Sequence, residues 1–98
     1  MTIEKNANGE NLEIKLIGRL DTTTAPSLEA ELKRSVGGVT KLVFDFSALE
    51  YLSSAGLRVL LAAQKVMNKQ GEMIIRNVND TIQDIFEVTG FSEILTIE

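Results

Sequence analysis

The sequence predicts a mixed α/β layer fold: a single domain of 98 residues with an N-terminal hairpin, parallel strands and covering helices. Three observations carry that expectation. The chain opens on strand-type residues, "NANGE" interrupts them with the hairpin signal Asn8-Gly9, and short apolar runs then alternate with stretches of helical spacing. The order strand, strand, helix, strand, helix, strand, helix calls for an antiparallel hairpin followed by right-handed parallel crossovers.

Thr2 to Asn6 form the first short strand, and the return strand "NLEIKLIGRL" points Leu12, Ile14 and Leu16 one way and Glu13, Lys15 and Ile17 the other. Next, Leu28, Leu32 and Val36 recur every four residues, with Glu29, Glu31, Lys33 and Arg34 on the outer face. Pro26 suits the first turn of this helix, one of Thr22 to Thr24 caps it, and Gly37-Gly38 ends it. "KLVFDF" has the continuous apolar character of a central strand, followed by a loop, "SALEYLS".

The long helix runs from about Ser54 to Lys69, with Leu57, Leu60, Leu61 and Gln64 on a face broadened by Val59, Ala62, Ala63 and Val66. Gly71 stops it. "EMIIRN" is another core strand. "NDTIQDIFEVTG" is a helix capped by Asn79 or Asp80, with Ile82, Ile85, Phe86 and Val88 or Thr89 inward and Gly90 at its end. The tail "FSEILTIE" holds a helical turn and a final short strand.

Composition removes most enzyme classes. The chain has no histidine and no cysteine, so Ser–His–Asp triads, thiolate chemistry and Cys/His zinc sites are excluded, and no metal or cofactor is expected. A net charge of -4 argues against nucleic acid, which is bound through cationic patches. No apolar run is long enough to insert in a bilayer, and "MTIEKNANGE" has no signal-peptide core, so the expected location is cytoplasmic. Glu29/Glu31 and Asp80/Asp84 are read as surface charge. Asp45 sits close to the C-terminal end of its strand, where ligands gather in α/β sheets; the plainer reading is a carboxylate satisfied by backbone N–H groups of the following loop.

Ser53 and Ser54 remain, at the entrance to the most apolar helix. A serine there is a good N-cap. The same position tolerates a phosphate, because a helix N-terminus offers unpaired N–H groups and partial positive charge, and Arg58 lies one turn beyond Ser54. Capping and switching both fit the spacing.

The segment "LVFDFSALEYLSSAGLRVLLAAQK" resembles the signature of STAS domains, in particular bacterial anti-sigma factor antagonists. "GRLDTTTAPSLEAEL" and "VTGFSEILTI" extend the likeness over essentially residues 1–98. The resemblance implies one STAS domain, without enzymatic activity, that works by partner switching. The unmodified form would bind an anti-sigma factor that doubles as a serine kinase and so free a sigma factor. Phosphorylation would weaken that complex, and a serine phosphatase would reset it.

Ser54 falls on the family's phosphorylated serine, with Ser53 a less favoured acceptor where many members carry Asp. Ala55 replaces a Ser or Thr; Gly56 and Leu57 match directly. Asp21 borders the same surface, and Thr22, Ser53, Ala55, Gly56, Leu57 and Arg58 complete the expected partner-binding set. The loss of the acidic residue before Ser54 keeps an alternative open: an adaptor STAS subunit of a membrane lipid-transport complex, in which the serine only caps the helix.

Overall fold

The computed structural model describes all 98 residues. Its elements are β1 (Thr2–Asn8), β2 (Asn11–Leu20), α1 (Ala25–Ser35), β3 (Lys41–Leu52), α2 (Ser54–Gln70), β4 (Glu72–Arg76) and α3 (Asp80–Thr89), followed by a 3-10 turn at Phe91–Glu93. One mixed sheet has the order β1-β2-β3-β4, with β1 antiparallel to β2 and the other pairs parallel. This is the expected α/β architecture.

Hairpin closure falls one residue later than "Asn8-Gly9" suggests. Asn8 pairs with Asn11, so Gly9 and Glu10 are the two loop residues, and Gly9 alone takes positive φ, at 64°. A positive φ at the first loop position only is what a II′ hairpin requires.

Alternation in β2 sends Leu12, Ile14 and Leu16 to one face, where all three are buried. Register carries that face across the sheet: Leu12 lies beside Leu42 and Leu42 beside Met73, while Ile14 lies beside Phe44 and Phe44 beside Ile75. These rows join residues of α1, α2 and α3 in a single cluster of 23 buried side chains. The crossovers along β2-β3-β4 put α1 and α2 on that face, and α3 reaches it through Phe86, whose ring stacks on Phe46 at 6.4 Å. The other face carries Glu13, Lys15, Asp45 and Arg76, and only Val43 and Ile74 are buried there.

The expected loop "SALEYLS" is instead mostly strand, since β3 runs unbroken to Leu52. β3 has two more residues than β2 opposite it: Lys15 to Ile17 spans Asp45 to Ala48, and Gly18 to Arg19 spans Leu49 to Tyr51. Each extra residue is a bulge, which rephases the strand so that Phe46, Leu49 and Leu52 stay on the core side at spacings of three. A period-two test cannot recognise such a strand. Asp45 therefore lies within β3 rather than near its end. Its Oδ1 accepts from Ser47 N–H at 2.9 Å, as the plainer reading expected, and from Asn77 Nδ2 at 3.0 Å.

Four smaller expectations also change. Glu31 is half-buried rather than solvated, because Lys5 at the sheet edge reaches it at 3.0 Å and Ser35 Oγ donates to it at 2.9 Å. Neither Val88 nor Thr89 faces inward: Val88 is 87% exposed, and the core side of α3 is filled by Ile82 and Phe86. Ala62 and Val66 of α2 are exposed, whereas Met67 completes its buried face. β4, read as a core strand, is the sheet edge; the tail covers it through a bridge of Ile75 to Ile97.

Candidate functional site

Two parallel strands end together. Leu20 of β2 lies beside Leu52 of β3, both buried, and the Ser53 N–H donates to the Leu20 carbonyl at 2.9 Å. The β2–α1 loop and the start of α2 thereby form one surface at the carboxyl edge of the sheet, where ligands gather in open parallel sheets.

Asp21 organises the first half of that surface. Its Oδ1 accepts from Thr23 Oγ1 at 2.8 Å, Thr23 N–H at 3.0 Å and Thr24 N–H at 3.2 Å. The Thr23 hydroxyl and then these backbone donors favour the charged form and hold the Asp21 carboxyl below the ordinary aspartate value. Among the three candidate caps, Thr24 occupies the N-cap position of α1 without a side-chain cap bond. Its hydroxyl donates to the Arg19 carbonyl and accepts from Asp21 N–H, each at 2.8 Å. Thr22 is exposed.

The second half is the first turn of α2. Ser53 has extended backbone angles, φ -96° and ψ 173°, and its Oγ accepts from Gly56 N–H at 3.4 Å as the N-cap. Ser54 is the first helical residue; it is exposed, and its hydroxyl takes part in none of the chain's side-chain hydrogen bonds. Ala55 is partly exposed and Arg58 exposed, one turn on. Gly56 and Leu57 lie beneath the surface. A Cβ on Gly56 would stand 2.7 Å from Leu20 Cγ and from Leu52 Cδ1, so this glycine lets the helix start seat directly on the two strand ends.

The structure thus brings Asp21, Thr22, Ser53, Ser54, Ala55 and Arg58 to one edge and places Gly56 and Leu57 as its support. Arg19 and Tyr51, which the sequence reading passed over, flank it. The Arg19 guanidinium lies 4.4 Å from the Tyr51 ring centroid, and its Nε is 3.7 Å from Asp21 Oδ2. Only the register of β2 against β3 pairs these two residues; nothing local in the sequence does. No helix in the structure is long and apolar enough to cross a membrane.

The family profile of the STAS domain matches residues 2–98. The protein provisionally named anti-sigma factor antagonist BtrV, from Bordetella bronchiseptica, is 38% identical over 84 residues, covering 84% of this chain and 72% of that one. The anti-sigma-B factor antagonist of Listeria monocytogenes is 29% identical over 96 residues, covering 96% and 84%. The anti-sigma factor antagonist SpoIIAA of Bacillus, in its unphosphorylated form, superposes with a TM-score of 0.79 at 21% identity, covering 99% of this chain and 87% of that one. The chain belongs to the STAS domain family, among its anti-sigma factor antagonists.

Proposed function

We propose that this chain is an anti-sigma factor antagonist that acts by partner switching, as a cytoplasmic binding protein without catalytic activity of its own. Unmodified, it binds an anti-sigma factor that is also a serine kinase, and the bound sigma factor is released. The kinase transfers the γ-phosphoryl group of ATP to Ser54 Oγ; the hydroxyl proton leaves and ADP is the other product. A serine phosphatase hydrolyses the ester and restores the binding form.

One observation carries this reading. Of the two serines, Ser53 uses its oxygen to cap α2, while Ser54 stands exposed and unbonded at the first helical position. A phosphate there would add about two negative charges at a helix N-terminus, where the dipole and free N–H groups accept them without unfolding the helix. The same charge would be set into whatever surface the partner had buried, which is enough to weaken a complex. The names of the relatives BtrV and the Listeria protein support the class of partner. SpoIIAA is known in a phosphorylated form too, so the fold accommodates the modification.

Incubation with the cognate kinase and ATP should add one phosphate, found on Ser54 by peptide mass spectrometry. Ser54→Ala should abolish it and Ser53→Ala should retain it. Undiminished labelling of Ser54→Ala would refute the site. Recovery of the native complex with a transport ATPase and permease, and no kinase, would favour the lipid-transport adaptor instead.

A further inference from the structure

Two concavities that share Glu29 and Val59 lie end to end along the seam of α1 and α2, and together they are called the trough. Its inner part is lined by Leu32, Val36, Val59, Ala62, Ala63 and Val66. It exists because the facing positions of α2 are small: alanines at 55, 62 and 63 cannot fill the space that α1 leaves. Val66 is 40% exposed and Ala62 is exposed, so apolar surface lies open in the trough.

Beyond Val36, Gln70 Nε2 crosses from α2 and donates to the carbonyls of Val36 and Val39, each at 2.7 Å. At the other end the trough runs out between Thr22, Ala25, Ala55 and Arg58, on the surface that holds Ser54. The cations of α1 are paired, Lys33 with Glu29 at 3.7 Å and Arg34 with Glu31 at 3.4 Å. Arg58, at the mouth, has no ion pair.

We infer that this trough is the seat of an amphipathic helical segment of the same anti-sigma partner, which lays an apolar stripe along α1 and α2 and sets an acidic group against Arg58. The inference rests on the partner-switching reading and adds the partner's chemistry to it. From Ala55 to Val66 the floor is roughly 16 Å long, room for about three helical turns with apolar residues at i, i+4 and i+7. Ser54 and Arg58 are four apart on α2 and therefore neighbours on its surface. A phosphate on Ser54 would take Arg58 for itself and repel the partner's acidic group, so a modification at the mouth dislodges a segment bound along the whole trough.

The test is binding of the cognate anti-sigma factor to the full chain, by calorimetry. Val66→Lys and Ala62→Lys, both at exposed positions, should each weaken binding about tenfold or more, whereas Glu13→Lys on the far sheet face should not. Ser54→Asp should cost much less affinity in an Arg58→Ala background than in the wild type, the signature of coupled groups. Methyl shifts of Val59 and Val66 during titration of the unmodified chain read the same contact without any substitution. If the wild type binds while the trough variants bind equally well and those methyls do not move, the trough is overturned and the partner-switching reading stands. If the wild type binds no anti-sigma factor, both fall.

Discussion

At the first turn of α2, an N-cap oxygen must fold back along the helix axis to meet the N–H of the third helical residue, whereas the next side chain projects outward. That geometry separates Ser53 from Ser54, and it sets opposite expectations for their alanine variants. Ser53→Ala should lower stability by about 0.5–2 kcal/mol in urea titration and leave phosphorylation intact. Ser54→Ala should leave the melting curve nearly unchanged and remove the proposed phosphoacceptor. Gly56 is a different case, since a methyl group there would press on Leu20 and Leu52 at 2.7 Å. The helix-propensity gain of alanine, about 1 kcal/mol, offsets part of an overpacking cost of about 1–3 kcal/mol, so Gly56→Ala should be destabilising by about 1 kcal/mol. Asp21 is held in place by Thr23 and Thr24, and it acts on the surface through the shape it imposes on the loop.

Among the elements, β3 positions most of what surrounds it. Its two bulges let a twelve-residue strand run beside a ten-residue one and still bury Phe44, Phe46, Leu49 and Leu52. The turn after β4 is tied to the bulged region twice: Asn77, at positive φ of 62°, donates to Asp45, and Asn79 Nδ2 donates to the Leu49 carbonyl at 3.1 Å. Asn79 also caps α3 through Ile82 N–H. The Asn77 amide, then the Ser47 N–H, hold the Asp45 carboxyl below its ordinary value. The native state therefore favours the carboxylate more than the unfolded chain does. The resulting stability is complete above the unfolded value of about 4 and is lost as pH falls through the lower folded value. Thermal melts between about pH 5 and pH 2 should show Asp45→Asn losing less stability on acidification than the wild type.

For the whole molecule, one core cluster implies one cooperative transition. Phe46 is its joint, with Phe44 at 6.0 Å from the strand and Phe86 at 6.4 Å from α3. Phe46→Ala should cost about 3–5 kcal/mol, a large share of a total of about 5–15 kcal/mol, and shift the urea midpoint with little change in slope. All helices lie on one side of the sheet, so the proposed docking surface lies where the ends of β2 and β3 meet the starts of α1 and α2. A buried core of this kind moves little, so the proposed phosphorylation would change the charge of one side chain and leave that edge in shape.

What was legible in the sequence was whatever local chemistry dictates. Apolar spacing marked each helix, glycines at 71 and 90 marked where helices stop, and the lack of histidine and cysteine removed triad, thiolate and Cys/His zinc chemistry. The matching flanks disclosed the family. Tertiary structure decided the rest, because it depends on neighbours distant in the chain. The strand character of "SALEYL" needed β2 alongside to absorb the bulges, and the half-burial of Glu31 needed Lys5 from the sheet edge. Val88 points outward because Ile82 and Phe86 already fill the space under α3. The assignment of Ser53 to the cap and Ser54 to the surface depends in turn on Leu20. Its carbonyl anchors the Ser53 N–H and fixes where the helix begins.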